Sequence, residues 1–149
     1  MADEEIRPAR AADVPVVAEV VDAAFRPYVE RIGRVPRPME EDHAANVAAG
    51  KVFVTGDPVT GLVVIEAFDD HLFLDTIAVH PAAHGRGVGR RLLRFVDAHA
   101  RTLGLPEIRL CTNALMWENQ QIYPKYGYER VERRVDGPYD RVHYLKRLL

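Results

Sequence analysis

The sequence predicts a mixed α/β (α+β) fold, a central mixed sheet with helices on both faces. Three observations carry this. The predicted elements run β-α-α-β-β-β-α-β-α-β-β, so helices separate only some of the strands. Three apolar strands follow one another between residues 51 and 79 with only short turns between them. A glycine-rich loop then joins the last of these strands to a strongly amphipathic helix. A chain of 149 residues is one domain's worth, long enough to bury a core.

Ile6-Arg7-Pro8-Ala9 reads as a short strand, with Pro8 marking an edge or an end. Asp13 is placed to cap the next helix, and Pro15 is tolerated in its first turn. Val17, Val20, Val21, Ala24 and Phe25 recur at helical spacing, and Pro27 ends the helix. Over 28–38, prolines and arginines leave the chain without a regular element. A second helix is expected over 39–49, closed by Gly50. Residues 51–55 form a strand, 56–61 a turn, and 62–68 the next strand. That strand is apolar on both faces except at Glu66, which predicts cover on both sides. Asp69-Asp70-His71 turns the chain into a fourth strand over 72–79.

In the helix that follows, Val88, Leu92, Phe95, Val96 and Leu103 fall in one arc at 100° per residue. Arg90, Arg94 and Arg101 lie opposite, and His99 falls within the apolar arc as a core or interface histidine. Gly104 stops the helix. Residues 107–112 alternate as a fifth strand, in which Cys111 reads as a small buried hydrophobe. A short helix over 115–125 is interrupted near Pro124. Strands over 127–131 and 141–146 flank a polar loop around Asp136-Gly137-Pro138.

A net charge of -2 argues against nucleic acid as the partner. The 48% hydrophobic content describes a soluble globular chain. A single cysteine permits no internal disulfide and suits a reducing compartment. The acidic first residues carry no signal-peptide pattern. No stretch reaches the roughly 20 apolar residues of a membrane span. A cytoplasmic protein without a membrane or nucleic-acid partner is expected.

The loop between strand and helix reads Val79-His80-Pro81, then His84-Gly85-Arg86-Gly87-Val88-Gly89-Arg90. Glycines let the backbone approach a ligand closely, and the helix start adds free N–H groups and the positive end of a dipole. Such a cradle suits phosphate. A P-loop would need Gly-Lys-Ser/Thr, but Arg90-Arg91 follow Gly89. A dinucleotide fingerprint would need glycine at position 90 when counted from Gly85. The spacing instead resembles the acetyl-coenzyme A loop of the GCN5-related N-acetyltransferase (GNAT) family, Arg/Gln-x-x-Gly-x-Gly/Ala after a strand ending Val-x-Pro. His84 stands here where Arg or Gln is usual.

A second stretch strengthens the resemblance. Tyr123-x-x-x-Gly127-Tyr128 matches the family's Tyr-x-x-x-Gly-Phe/Tyr, and Asn119 stands one helical turn before the tyrosine. Pro124 directly after Tyr123 departs from the pattern. The resemblance covers the chain and implies a single GNAT acyl-CoA N-acyltransferase domain over 1–149. By it, backbone groups of Ile77, Ala78 and Val79 hold the pantetheine arm and the thioester oxygen, on a strand that family members bulge away from its neighbour. Amides from His84 and Gly85 through Arg86, Gly87, Val88, Gly89 and Arg90 hold the pyrophosphate. Asn119 bonds the pantetheine region, and Tyr123 protonates the leaving thiolate. Tyr28, Pro36, Pro38 and Met39 wall the acceptor site.

The function so implied is acetyl-CoA-dependent transfer of an acetyl group to a primary amine of a small molecule or peptide, by direct attack in a ternary complex. The alternative is a module of the same fold that binds acyl-CoA without turnover. The base stays open among Glu66, Asp75, His80 and water. Relatives often pair through their C-terminal strands, so Tyr139, Val142, Tyr144 and Leu145 are expected to offer an apolar edge for a homodimer.

Overall fold

A computed structural model describes residues 5–148 of the chain. The elements are β1 (Ile6–Pro8), α1 (Val14–Phe25), α2 (Val29–Ile32), α3 (His43–Ala48), β2 (Val52–Thr55), β3 (Gly61–Ala67) and β4 (Leu72–Val79), then α4 (Val88–Thr102), β5 (Glu107–Asn113), α5 (Trp117–Ile122), β6 (Glu129–Asp136) and β7 (Tyr139–Arg147). The strands form one seven-stranded mixed sheet in the order β1-β2-β3-β4-β5-β7-β6. β4 and β5 are parallel, with Leu72 opposite Ile108 and Leu74 opposite Leu110. β5, β7 and β6 are antiparallel neighbours. The chain divides into two compact units: one takes the chain up to Ile65 together with Thr76–Phe95, the other Glu66–Asp75 together with the chain from Val96 onward.

In the first unit, Val17, Val20 and Val21 of α1 pack with Val47 of α3, Val52 and Val54 of β2, and Leu62 and Val64 of β3. Gly61 through Ile65 are all buried, as expected of a strand covered on both faces. The Phe53 and Phe95 rings meet at 5.0 Å. Three local expectations are corrected. Asp13 does not cap α1; its carboxylate accepts the Arg10 N–H at 2.8 Å and takes two bonds from the Arg7 guanidinium at 2.8 and 3.1 Å, closing the 3-10 turn Ala11–Asp13. Residues 28–38 are not irregular throughout, because α2 makes one helical turn that Gly33 ends at φ +81°. The second helix begins at His43 rather than residue 39. Pro36 and Pro38 set a separate 3-10 turn over Arg37–Glu40, Glu41 is extended, and the Asp42 side chain then caps α3 through Ala45 N–H at 3.0 Å. The far end of α3 closes as foreseen: Gly50 N–H bonds Val47 C=O and Lys51 N–H bonds Asn46 C=O, with Gly50 left-handed at φ +74°.

In α4, Val88, Leu92 and Val96 are buried as their arc predicts, together with Leu93 and Ala100. Leu103 is not in the core; it is 48% exposed, because the helix stops at Thr102 and the next residue leaves its period. In the second unit, α5 gives way at Ile122 to a 3-10 turn over Tyr123–Tyr126 containing Pro124, which Gly127 ends at φ +92°. β6 and β7 run longer than expected. Every β6 residue from Glu129 to Val135 is exposed, so no apolar alternation announces the strand. The expected dimer edge is also corrected. β7 lies between β5 and β6, and its Val142 and Tyr144 are buried in the chain's own core. β6 is the outer strand and carries the exposed Val131 and Val135. Among the described residues, no helix is long and apolar enough to cross a membrane.

Candidate active site

The glycine loop is built in the first unit. β4 leads to His80, whose backbone N–H bonds Thr60 C=O at 2.8 Å and ties the loop's entry to the turn before β3. Pro81–Ala83 form a 3-10 turn capped by the His80 side chain, whose Nδ1 accepts the Ala82 N–H at 3.0 Å. Gly85 and Gly87 then take left-handed backbone at φ +81° and +75°, a conformation costing other residues about 1–2 kcal/mol. The space where a Gly85 side chain would stand is open for 4 Å around. α4 starts at Val88, and its first turn closes with Arg91 N–H on Gly87 C=O at 3.1 Å. The N–H groups of Val88, Gly89 and Arg90 therefore precede the helix's own bonding, the usual state of a helix start. His84 and Arg86 are exposed, as is Arg90.

Sequence reading passed over Arg91. Its guanidinium donates to Arg86 C=O at 3.2 Å, while its Nε is buried without a hydrogen bond. It braces the loop from beneath; its only sequence signal is a second arginine behind Arg90. Ala78 is buried among the α1 residues, whereas Ile77 and Val79 are half-buried. A Cβ on Gly89 would meet Val79 Cγ2 at 3.8 Å, ordinary packing of helix on strand.

Tyr123 and Asn119 stand in the second unit. Tyr123 is 6% exposed, and its ring packs on Tyr128 at 5.8 Å and Tyr144 at 5.7 Å. Burial pushes its phenol well above the ordinary range, with smaller contributions from Cys111 and Tyr144. The proton therefore stays on the oxygen throughout the neutral range. The Asn119 amide donates to Thr112 Oγ1 of β5 at 3.1 Å, and Gln120 donates to Ala114 C=O at 2.8 Å. These bonds dock the short α5 on the end of β5. The pairing of Asn119 with a buried threonine is invisible in sequence, since seven residues and a turn separate them. Burial likewise pushes the Cys111 thiol up, which keeps it an inert, half-buried side chain.

The remaining candidates are scattered. Tyr28 is half-buried with the Arg31 guanidinium over its ring at 5.1 Å. Pro36 is buried, Pro38 half-buried, and Met39 packs against the α1 core. Glu66 and Asp75 are half-buried and each has interaction partners. Of the base candidates, His80 already spends one ring nitrogen on its own turn.

A sequence model of the "Acetyltransferase (GNAT) domain" matches residues 48–130, and the chain belongs to this family. Solved structures agree on the fold. The PaiA N-acetyltransferase of Thermoplasma acidophilum in complex with coenzyme A aligns at TM-score 0.82 and 15% identity, over 99% of this chain and 100% of that one. The ribosomal-protein-S18-alanine N-acetyltransferase of Escherichia coli aligns at 0.77 and 17%, over 97% and 93%. A Salmonella typhimurium structure with its cofactor acetyl-CoA aligns at 0.73 and 19%, over 98% and 94%.

Proposed function

We propose that this chain is a single-domain acetyltransferase that moves the acetyl group of acetyl-CoA to a primary amine of a small molecule or peptide, by direct attack in a ternary complex. The observation that carries this reading is the loop of left-handed Gly85 and Gly87 at the start of α4, directly after β4. The residues fit the group: the backbone is open at Gly85, N–H groups gather at the helix start, and exposed Arg86 and Arg90 add positive charge for a pyrophosphate. Acetyl-CoA supplies a thioester, an activated acyl group with a thiolate as leaving group. Backbone groups at Ile77, Ala78 and Val79 orient that thioester, the amides from His84 to Arg90 hold the phosphates, and Asn119 steadies the pantetheine arm.

Tyr123 holds the proton that the departing sulfur needs. Its burial makes the phenol a secure donor at neutral pH and a weak acid, so it acts chiefly by a hydrogen bond to the sulfur as charge develops there. Tyr28, Pro36, Pro38 and Met39 remain the proposed acceptor wall, with Pro36 and Met39 shaping it from within the packed layer.

A thiol-release assay with acetyl-CoA against amines, peptides and aminoglycosides tests the reading, alongside thermal stabilisation by coenzyme A. Release with one acceptor class is expected. Stabilisation without release from any acceptor would mark a binding module; no stabilisation would remove the cofactor. Tyr123→Phe is expected to lower kcat by about 10²-fold or more while leaving acetyl-CoA affinity within a few-fold. Unchanged turnover would end its role as donor.

A further inference from the structure

Arg91, the fourth residue of α4, holds two consecutive carbonyls of the glycine loop. Its backbone N–H bonds Gly87 C=O at 3.1 Å, as any non-proline residue at that place in a helix would. Its side chain adds a bond that only a long donor can make: Nη1 donates to Arg86 C=O at 3.2 Å. The same Nη1 lies 4.0 Å from the place a Gly87 Cβ would take, so the guanidinium rests along the Arg86–Gly87 peptide. Gly85, Arg86 and Gly87 are exposed, while Arg91 is half-buried.

A trans peptide is planar, and its C=O and N–H point in opposite directions. The Arg86–Gly87 peptide is trans. With its carbonyl held by Arg91, that peptide sends the Gly87 N–H away from the guanidinium. Among the described residues nothing accepts this N–H. Glycine does not choose the orientation by itself. Turning the peptide over would carry the Gly87 φ from +75° to the negative side, and glycine populates both sides about as readily. Turned over, the loop would present the Arg86 oxygen where it now presents an N–H, a partial negative charge in place of a positive one. The bond from Arg91 decides between the two.

Arg91 stands there against its own interest. Its Nε is shielded from solvent without a hydrogen bond, which is unfavourable for a charged donor. Among the described residues no carboxylate neutralises it, whereas Arg101 of the same helix pairs with Asp97 at 3.0 Å. The positive end of the helix dipole disfavours a cation so close to the start of α4. Packing alone would be served as well by methionine, without the unpartnered Nε or the charge. An anion at the loop turns both the dipole and the guanidinium into attraction.

We infer that Arg91 is the positioning residue of the phosphate cradle: by holding the Arg86 carbonyl it turns the Gly87 N–H outward, to donate to the pyrophosphate of coenzyme A. This rests on the cofactor reading above and extends it from the loop backbone to a side chain that the glycine spacing does not include. Arg91 acts through the loop and not on the reacting atoms. Its removal should therefore fall on cofactor affinity and on KM for acetyl-CoA rather than on kcat. The effect belongs to the pyrophosphate, which coenzyme A shares with dephospho-coenzyme A, and not to the ribose phosphate, which only coenzyme A carries.

Amide nitrogen–proton NMR spectra read the Gly87 N–H directly, and calorimetric titration reads affinity. On saturation with coenzyme A, the Gly87 amide proton of the wild type is expected to move downfield, as a donor to phosphate does. Arg91→Met should lose that shift. It should also bind both coenzyme A and dephospho-coenzyme A about tenfold more weakly, with KM for acetyl-CoA rising in step. Unchanged affinity in the folded variant overturns the inference. So does a loss confined to coenzyme A, which would place Arg91 on the ribose phosphate. The wild type alone carries the test where Arg91→Met fails to fold: coenzyme A that binds without moving the Gly87 amide overturns the inference and leaves the cofactor reading standing. Failure of coenzyme A to bind the wild type overturns both.

Discussion

Gly61 is closed in by the first turns of α4. A Cβ placed there would stand 2.7 Å from Val88 Cγ1, 3.1 Å from Leu92 Cδ1 and 3.4 Å from Ala78 O. Carbon atoms pack comfortably at about 3.5–4.0 Å, so Gly61→Ala asks for roughly 1 Å of displacement. Val88 cannot swing aside cheaply, because a β-branched residue in a helix has one strongly preferred χ1. Leu92 is fully buried behind it. The displacement therefore falls on the first turns of α4, the turns that carry the glycine loop. Overpacking of this kind costs about 1–3 kcal/mol. Taking ~2 kcal/mol, a chain of this size loses about 4–8 °C in Tm.

Urea unfolding measures the cost, and calorimetric titration of coenzyme A reads the displaced loop. Val88→Ala supplies the control, since it removes the nearest clashing atom. Alone it costs about 1.6 kcal/mol for two buried methyl groups. Combined with Gly61→Ala it should cost less than the sum, with a coupling of about 1–2 kcal/mol. If Gly61→Ala lies within about 0.5 kcal/mol of wild type, or if the two changes add, then α4 is not pinned to β3 through this contact.

Other substitutions probe the loop and the N-terminal turn. Gly85 and Gly104 both sit at positive φ, +81° and +72°, and the place a Cβ would take is open for 4 Å around on each. Alanine at each should cost about 1 kcal/mol of stability, but only Gly85→Ala should weaken coenzyme A, by about tenfold. Equal affinity of both variants would move the ligand off the loop. At the N-terminal turn, the hydrogen bond from Arg7, then that of the Arg10 N–H, holds Asp13 at about 2, below its ordinary 3.8. A depressed folded-state value stabilises above pH 4 and is lost as pH falls from about 4 to about 2. Discounted for solvent screening, the contribution is about 1 kcal/mol. Asp13→Asn should therefore melt about 2–4 °C below wild type at pH 7, with the gap closing at pH 2. A gap that persists at pH 2 would show that the loss is not electrostatic.

The parts of this protein legible in sequence are those where one physical demand dominates. β3 is apolar residue after residue because both its faces are covered, and Gly85 and Gly87 are glycines where the backbone turns left-handed. The Schellman closure at Gly50 is equally plain. Illegible parts are those where a side chain has two competing uses. Asp13 looks like a cap for α1, yet a guanidinium six residues earlier in β1 outbids the helix for its oxygens. The long β6 carries ion pairs such as Arg133–Asp140 and Arg134–Asp136 in place of alternation, so its charges read as a solvated loop. His143 shows the same blindness on the opposite face of that strand pair. It lies seven residues from Asp136 across a tight turn at Gly137 and opposite Cys111, some thirty residues earlier, and only strand register makes them neighbours. Motifs disclose groups that bind through the backbone at fixed spacing. The side chains that would choose an acceptor meet only once the chain is folded, so a spacing motif reaches the backbone cradle of the glycine loop and stops short of the acceptor wall.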